Sequence, residues 1–334
     1  MNYKAWVAKA AKQPMVLETV DLGPLGAEDV EVAVEYCGLC HSDLSALNND
    51  WGISQYPAIL GHEVTGRIAA VGPNAKGLTV GQRAGVGWNS GSCMHCHQCM
   101  SGSHHLCPQV QPTIFGHRGG FATHIRSHWA WAIQLPEKLN FADAGPLLCG
   151  GITVFAPLAM YAKPTSRVGI IGIGGLGHMA VKFAAAYGCD VTAFTSSESK
   201  FDEAKGFGAK HVVSSRDSAA IKKLAGSFDL LISTVNVKLD WDAMIGTLAP
   251  NGRLHDVGAV LEPIPIPAFS LIMGQRSVSG SPTGSPVVIE KMLDFASRHN
   301  VAPQTEHFPM SKVNDAMDHL RAGKARYRIV LDAS

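Results

Sequence analysis

Four cysteines stand within fifteen residues, Cys93, Cys96, Cys99 and Cys107, in GSCMHCHQCMSGSHHLC. The spacing C-x2-C-x2-C-x7-C closes four thiolates around one tetrahedral ion, and an all-sulfur set selects zinc. Such a site has no open position, so it is expected to hold a lobe, about residues 88–110, together. A second set is dispersed: Cys40 in GLCHSD, His62 in GHEVTG and Cys149 in PLLCGG. Two thiolates and an imidazole leave a fourth position for water or substrate, the arrangement of a catalytic zinc. Spacing alone does not bring these three together. A lone cysteine is also a small buried hydrophobe, and a lone histidine is also a surface or hydrogen-bonded core residue.

A third pattern binds phosphate. Gly172-Ile173-Gly174-Gly175-Leu176-Gly177 fits G-x-G-x-x-G, follows the apolar run RVGII and opens a helical stretch. In that context the first glycine permits the turn, the second lets backbone approach a pyrophosphate, and the third lets helix and strand pack. The free N–H groups and positive end of the helix complete the anion site. At the end of the next strand, where an acidic residue would accept from the ribose of NAD, stand Thr195, Ser196 and Ser197, with Lys200 close behind and Glu198 one residue beyond the serines. Hydroxyls and a cation welcome a 2′-phosphate, so this end selects NADP(H). The plainer reading is that Thr195 to Ser197 cap the following helix.

These residues need two scaffolds. Residues 1–150 are rich in glycine, with strand-like runs such as VEVAVEYCG and VTGRIAAVG, and read as an irregular β-rich domain. From Arg167 the pattern becomes strand, glycine turn, helix and strand: LGHMAVKFAAAYG and SKFDEAKGFGA as helices, CDVTAFTSS, HVVSS, FDLLISTV and RLHDVGAV as strands. That alternation implies a parallel, doubly wound α/β sheet over 151–287. The tail, with helical VVIEKMLDFASRH and KVNDAMDHLRAG and strand-like YRIVLD, is expected to return over 288–334 and complete the first domain. At 334 residues there is chain enough for two cores. Hydrophobic residues are 46% and charged residues 16%, with a net charge of +1, so composition indicates neither nucleic-acid nor membrane partners. The start shows no export signal. Eight cysteines with four clustered as ligands argue for a reducing compartment, and the expected location is the cytoplasm.

Taken in order, GLCHSD, GHE-x2-G-x5-G (Gly61 to Gly72), the cysteine lobe, GGFA (Gly119 to Ala122), LLCGGITV and GIGGLGH resemble the zinc-dependent medium-chain alcohol dehydrogenases over essentially the whole chain. LLCGGIT, GIGGLGH, the serine-rich strand end with Lys200 and the terminal RYRIV are most similar to the cinnamyl-alcohol-dehydrogenase branch, and within it to bacterial NADPH-dependent aldehyde reductases. The resemblance implies a GroES-like catalytic domain beside a Rossmann cofactor domain, two zinc ions and a homodimer joined at the cofactor domains. It implies that Cys40, His62 and Cys149 bind the catalytic zinc, with Glu63 an exchangeable neighbour and Asp43 orienting the histidine. Ser42 takes the role of proton donor and acceptor for substrate. His41 and Arg328 approach the cofactor pyrophosphate, and Thr153 lies against the cofactor. Trp51 and Trp88 fall where the family lines its substrate pocket, with ordinary core packing as the alternative. Ser45 stands where many relatives carry a histidine that ends the proton relay, and a serine cannot act as a base near neutral pH.

The reaction so implied is reversible reduction of aldehydes to primary alcohols by NADPH. An NAD-dependent alcohol dehydrogenase is the nearest alternative. A non-catalytic dinucleotide binder and a zinc-finger protein fit less well, because the full ligand sets, the neutral charge and the glycine loop occur together. Cys37 and Cys189 read as buried and inert, His95, His97, His104 and His105 as exposed lobe residues, and Pro263 to Pro267 as a connector.

Overall fold

Short strands with alternating burial open the chain. The computed structural model describes residues 2–333. β1 (Asn2–Ala8) and β2 (Val16–Asp21) form an antiparallel pair. The long strand β3 (Asp29–Leu39) runs into helix α1 (His41–Asn48), and β4 (Ala58–Ile59) returns to β1. β5 (Glu63–Val71) and β6 (Arg83–Val86) follow as antiparallel neighbours. β7 (Asn89–Gly91) and β8 (Gln111–Pro112) pair across the base of the cysteine lobe, which holds the short helix α2 (His97–Met100). β9 (His124–His128) and β10 (Ala132–Gln134) then lead to α3 (Gly150–Tyr161).

The next unit, Thr153–Pro282, is a parallel sheet with helical crossovers. Its elements are β11 (Arg167–Ile171), α4 (Gly177–Ala186), β12 (Asp190–Thr195), α5 (Phe201–Gly206), β13 (His211–Ser214), α6 (Ser218–Lys222), β14 (Phe228–Ser233), α7 (Trp241–Gly246), β15 (Leu248–Asp256), α8 (Ala268–Ile272) and β16 (Ser277–Gly280). The strand order is β13-β12-β11-β14-β15-β16. Order therefore reverses beside β11, the switch point at which doubly wound sheets bind ligands. The strand read at RLHDVGAV instead begins at Leu248 and stops at Asp256. Beyond it Gly258 lies so close to Val235 that a Cβ there would sit 1.9 Å from the Val235 carbonyl oxygen.

The tail, α9 (Pro286–His299), β17 (Thr305–Pro309), α10 (Val313–Arg321) and β18 (Arg328–Asp332), belongs with the first unit, which runs to Ile152 and resumes at Thr283. β18 pairs antiparallel with β3, giving the sheet order β10-β6-β5-β3-β18-β17, with β9 also on β3. Val32, Leu39, Val64, Ile125, Ile329 and Leu331 are buried together in its core. Among the described residues no helix is long and apolar enough to cross a membrane.

An ion clamp fastens the tail. His307 on β17 reaches Asp332 at 2.7 Å through Nδ1 and Asp143 at 2.9 Å through Nε2. Burial opposes the charged ring, but the hydrogen bonds to Asp143 and Asp332 outweigh it and raise the pKa. A raised histidine pKa contributes fully below the ordinary value of about 6.5 and is lost as pH rises through the folded value. Replacing His307 by Gln should therefore cost more stability at roughly pH 6 than at roughly pH 9, measured by urea unfolding. An equal cost at both would mean that the ring acts through packing alone.

Candidate active site and metal centres

In the lobe, short backbone turns deliver the four sulfurs. Cys93 and Cys96 flank a turn with Met94 at φ 61°, Cys99 lies on α2, and Cys107 follows a 3-10 turn. Cys93 and Cys99 sulfurs are 3.9 Å apart, and those of Cys96 and Cys107 are 3.8 Å apart. A zinc–sulfur bond of about 2.3 Å gives a tetrahedron with edges of about 3.8 Å, so the donor set fits that ion. Amides of Cys96 and Gln109 donate to the sulfurs of Cys93 and Cys107 at 3.3 Å each. The His95 and Cys96 amides bring the Cys93 thiol down to about 6, while burial holds Cys99 up at about 11. The Cys99 thiol thus resists ionisation until a cation joins the cluster. His95 and His97 are exposed, whereas His104 and His105, expected to be exposed, are half-buried on the 3-10 turn; among the described residues no lobe histidine joins the cluster.

The dispersed trio converges, and Glu63 with it: Cys40, His62, Glu63 and Cys149 place one ligand atom each within 4.8 Å of the others, all buried. Strand register explains this. Gly38 of β3 opposes Glu63 of β5, so Cys40 and His62 emerge at the same sheet end. Cys149 arrives on the 3-10 turn Gly145–Leu148, which fits beneath β5 because Gly145 has no Cβ; one would sit 2.3 Å from the Glu63 carbonyl oxygen. The His62 Nε2 to Cys149 sulfur distance is 3.3 Å, near the roughly 3.6 Å of a tetrahedral zinc edge.

Asp43, fully buried on the first turn of α1, accepts three hydrogen bonds. The Cys40 N–H donates at 2.9 Å, the Gly61 N–H at 2.9 Å, and His62 Nδ1 at 3.0 Å. An acceptor at Nδ1 fixes a proton there, so Nε2, which faces the sulfurs, is the nitrogen that binds a metal once any proton on it is displaced. The Cys149 contact, Arg328 and His62 hold Cys40 well below the ordinary thiol range against burial, whereas Cys40 and burial push Cys149 well above it. Asp43 and Cys40 likewise overcome burial to raise His62. The raised values mark Cys149 and His62 as groups that hold protons in this pocket, and a dication entering it displaces them.

Arg328 stands beside the dispersed ligands. β18 pairs with β3 so that Ile329 opposes Leu39, and the Arg328 side chain, 4% exposed, ion-pairs with Glu63 and reaches the Cys40 sulfur at 3.8 Å. Glu63 Oε2 is buried without a hydrogen-bond partner. His41, exposed, and Ser42, half-buried, begin α1 directly after Cys40. Trp88 meets the His62 ring edge-on at 4.8 Å, and Trp51 meets Trp88 at 6.4 Å. Phe115 completes an aromatic trio, 5.9 Å from Trp51 and 6.1 Å from Trp88. Sequence reading missed Phe115, whose only signal is an aromatic in TIFGH.

In the parallel-sheet unit the glycine loop follows β11. Gly172 has φ 89°, and a Cβ on Gly177 would sit 1.8 Å from the Gly172 carbonyl oxygen. A Cβ on Gly174 would meet nothing within 4 Å. Packing gives no reason for that glycine, but close approach of a phosphate does. Ile173, Gly175 and Leu176 complete the loop, and no side-chain cap occupies the start of α4, where the His178 amide donates to the Gly174 carbonyl at 3.1 Å. Lys200 reaches back to the Ile173 carbonyl at 2.9 Å, joining the end of β12 to the loop. Thr195 is buried and Ser196 exposed, and the Ser197 hydroxyl meets Ser199 at 2.7 Å. Neither Ser197 nor Lys200 caps its helix through a side chain. Thr153 donates to the Pro282 carbonyl at 3.4 Å.

Comparisons with known proteins agree with this chemistry. Residues 26–137 match the family described as alcohol dehydrogenase GroES-like domain, and residues 175–298 match zinc-binding dehydrogenase. The chain is 52% identical, over 99% of both chains, to aldehyde reductase AdhA of Synechocystis sp.. It superposes on a cinnamyl alcohol dehydrogenase of Sorghum bicolor with a TM-score of 0.95 at 36% identity, covering 99% of this chain and 98% of that one. With the Helicobacter pylori enzyme complexed with NADP(H), the TM-score is 0.91 at 30% identity over 99% and 98% of the two chains.

Elemental analysis should give two zinc ions per chain, and Cys40→Ser should lower this to one. Asp43→Asn should weaken the retained affinity of the dispersed site for zinc about 10- to 100-fold, measured by chelator competition. Unchanged affinity would mean that Asp43 serves the fold alone.

Proposed function

We propose that this chain, which belongs to the cinnamyl-alcohol-dehydrogenase branch of the zinc-dependent medium-chain dehydrogenases, reduces aldehydes to primary alcohols with NADPH. Membership makes it an alcohol and aldehyde oxidoreductase. The observation that carries the cofactor preference is the end of β12, where Thr195, Ser196 and Ser197 take the place of an acidic residue and Lys200 follows, with Glu198 one residue beyond the serines at the start of the next turn. A 2′-phosphate finds hydroxyl donors and a cation there. The Helicobacter pylori relative complexed with NADP(H) supports the same choice.

Each residue then has a role in one geometry. Cys40, His62 and Cys149 hold the catalytic zinc, and the four lobe cysteines hold the structural one. When bound, zinc supplies Lewis acidity toward a carbonyl oxygen and the nicotinamide supplies the hydride. Asp43 keeps the His62 ring in the ligating tautomer. Arg328 offsets Glu63 where a buried carboxylate would otherwise stand beside the thiolates. Ser42 passes the proton to the alcohol oxygen. In reduction Ser42 then regains a proton from water, and in oxidation it releases one there, because Ser45, one helical turn on, offers no base. Trp51, Trp88 and Phe115 present an apolar wall suited to the body of an aldehyde. His41 serves the pyrophosphate and Thr153 the cofactor. The unit holding both metal clusters is the catalytic domain, and Thr153–Pro282 is the cofactor domain.

The working form we infer is a cytoplasmic homodimer. Eight free cysteines suit a reducing compartment. β16 pairs with β15 on one side, and the nearby Leu261, Phe269, Ile272 and Met273 are all more than two-thirds exposed, an apolar surface suited to a second copy. Phe269→Glu combined with Met273→Glu should convert a dimer to a monomer in sedimentation; a monomeric parent would overturn the dimer.

Absorbance assays with benzaldehyde should show faster oxidation of NADPH than of NADH. Lys200→Glu should raise KM for NADPH by roughly tenfold or more while sparing NADH. A native preference for NADH would reject the reading of the β12 end and leave the reaction class standing.

A further inference from the structure

The last residues of the central strands form one row across the sheet. Ile171, which precedes the glycine loop, pairs with Ser233 of β14, and Ser233 pairs with Asp256 of β15. On the other flank Ile171 pairs with Phe194, next to Thr195. Ile171 and Phe194 are buried apolar residues, so Ser233 and Asp256 interrupt the row with polar groups. Ser233 is 0% exposed. Its hydroxyl and the Gly258 amide lie close enough to favour the Asp256 anion, although burial still raises the pKa of that carboxyl. Yet neither Ser233 Oγ nor Asp256 Oδ1, both buried atoms, completes a hydrogen bond among the described residues.

An ionised carboxylate only accepts, so whatever completes Asp256 must bring a donor. The proposal rests on the reading that a dinucleotide binds at the glycine loop. Its adenosine half is taken by the β12 side, through Thr195 to Ser197 and Lys200. Its other half must then run over β14 and β15, about 5 and 10 Å from β11 at ordinary strand spacing. The first donors it presents beyond the pyrophosphate are the hydroxyls of the ribose that carries the nicotinamide. We propose that Asp256, steadied by Ser233, accepts a hydrogen bond from that ribose and so sets the position of the nicotinamide half.

Calorimetry on the zinc-loaded full chain tests this with two ligands, NADP+ and adenosine 2′,5′-bisphosphate, which lacks the nicotinamide half. Asp256→Ala should weaken NADP+ binding roughly tenfold to a hundredfold, the worth of a hydrogen bond to a charged group. It should leave the bisphosphate unchanged, and Asp256→Asn, which keeps an acceptor oxygen, should recover most of the loss. Unchanged NADP+ binding in Asp256→Ala would overturn the proposal, as would equal losses for both ligands, since those report a distorted loop. A parent chain that binds neither ligand would overturn the dinucleotide reading itself, and the proposal with it.

Discussion

The dispersed metal site depends on one buried carboxylate. Asp43 is fully excluded from solvent, and a carboxylate so placed is costly by several kcal/mol unless its oxygens are satisfied. Its three donors come from Cys40, Gly61 and His62, two of which are themselves ligands and the third their neighbour. Satisfying the charge therefore fixes the end of β3 against the start of β5. The backbone that permits this is equally constrained. Gly61 adopts φ 93°, and a Cβ there would sit 2.5 Å from the Phe121 ring. The requirement to pair one charge thus organises the local chain before any metal is present.

Register carries the constraint outward. A Cβ on Gly38 would sit 2.0 Å from Glu63 Oε2, so the glycine in GLC is the space in which the Glu63 carboxylate lies. That carboxylate meets Arg328 from the tail, nearly three hundred residues from Cys40 in sequence, because β18 lies against β3. The tail is consequently part of the site and not only a lid on the core. The His307 clamp to Asp143 and Asp332 holds the same strand from its other end.

What the sequence made legible follows how local each feature is. The lobe ligands lie within fifteen residues and the phosphate loop within six, so spacing alone declares their chemistry. Cys40, His62 and Cys149 are far apart, and only the order of several motifs, read as a family resemblance, joined them. The family resemblance gives Arg328 only a place near the cofactor phosphates, and its contacts with Glu63 and Cys40 are visible in the structure alone. No local pattern encodes the β18 register that decides this. Phe115 was invisible because a single aromatic in a loop has no period. The two readings of Trp88, pocket wall and core, do not exclude each other: one ring packs on the core cluster and meets His62 edge-on. His255 gave no sign of its partners either, since Ser279 and Ser281, each 2.9 Å from a ring nitrogen, come from the neighbouring strand and its exit.

Burial explains why two zinc clusters in one unit differ in composition. Four thiolates on a dication leave a net charge of minus two, which costs less where part of the cluster meets solvent, although Cys99 and Cys107 are buried. Cys93 and Cys96 are indeed half-exposed, beside exposed His95 and His97. The second cluster is wholly buried, where net charge is far more costly. Two thiolates and a neutral imidazole balance a dication there, and Arg328 balances Glu63. Asp43 remains, spread over three donors. With no fourth thiolate in the set, the field of a bound dication is not cancelled toward a group that approaches it. The position that burial denies to a fourth thiolate is the one at which an aldehyde oxygen gains most as it acquires negative charge.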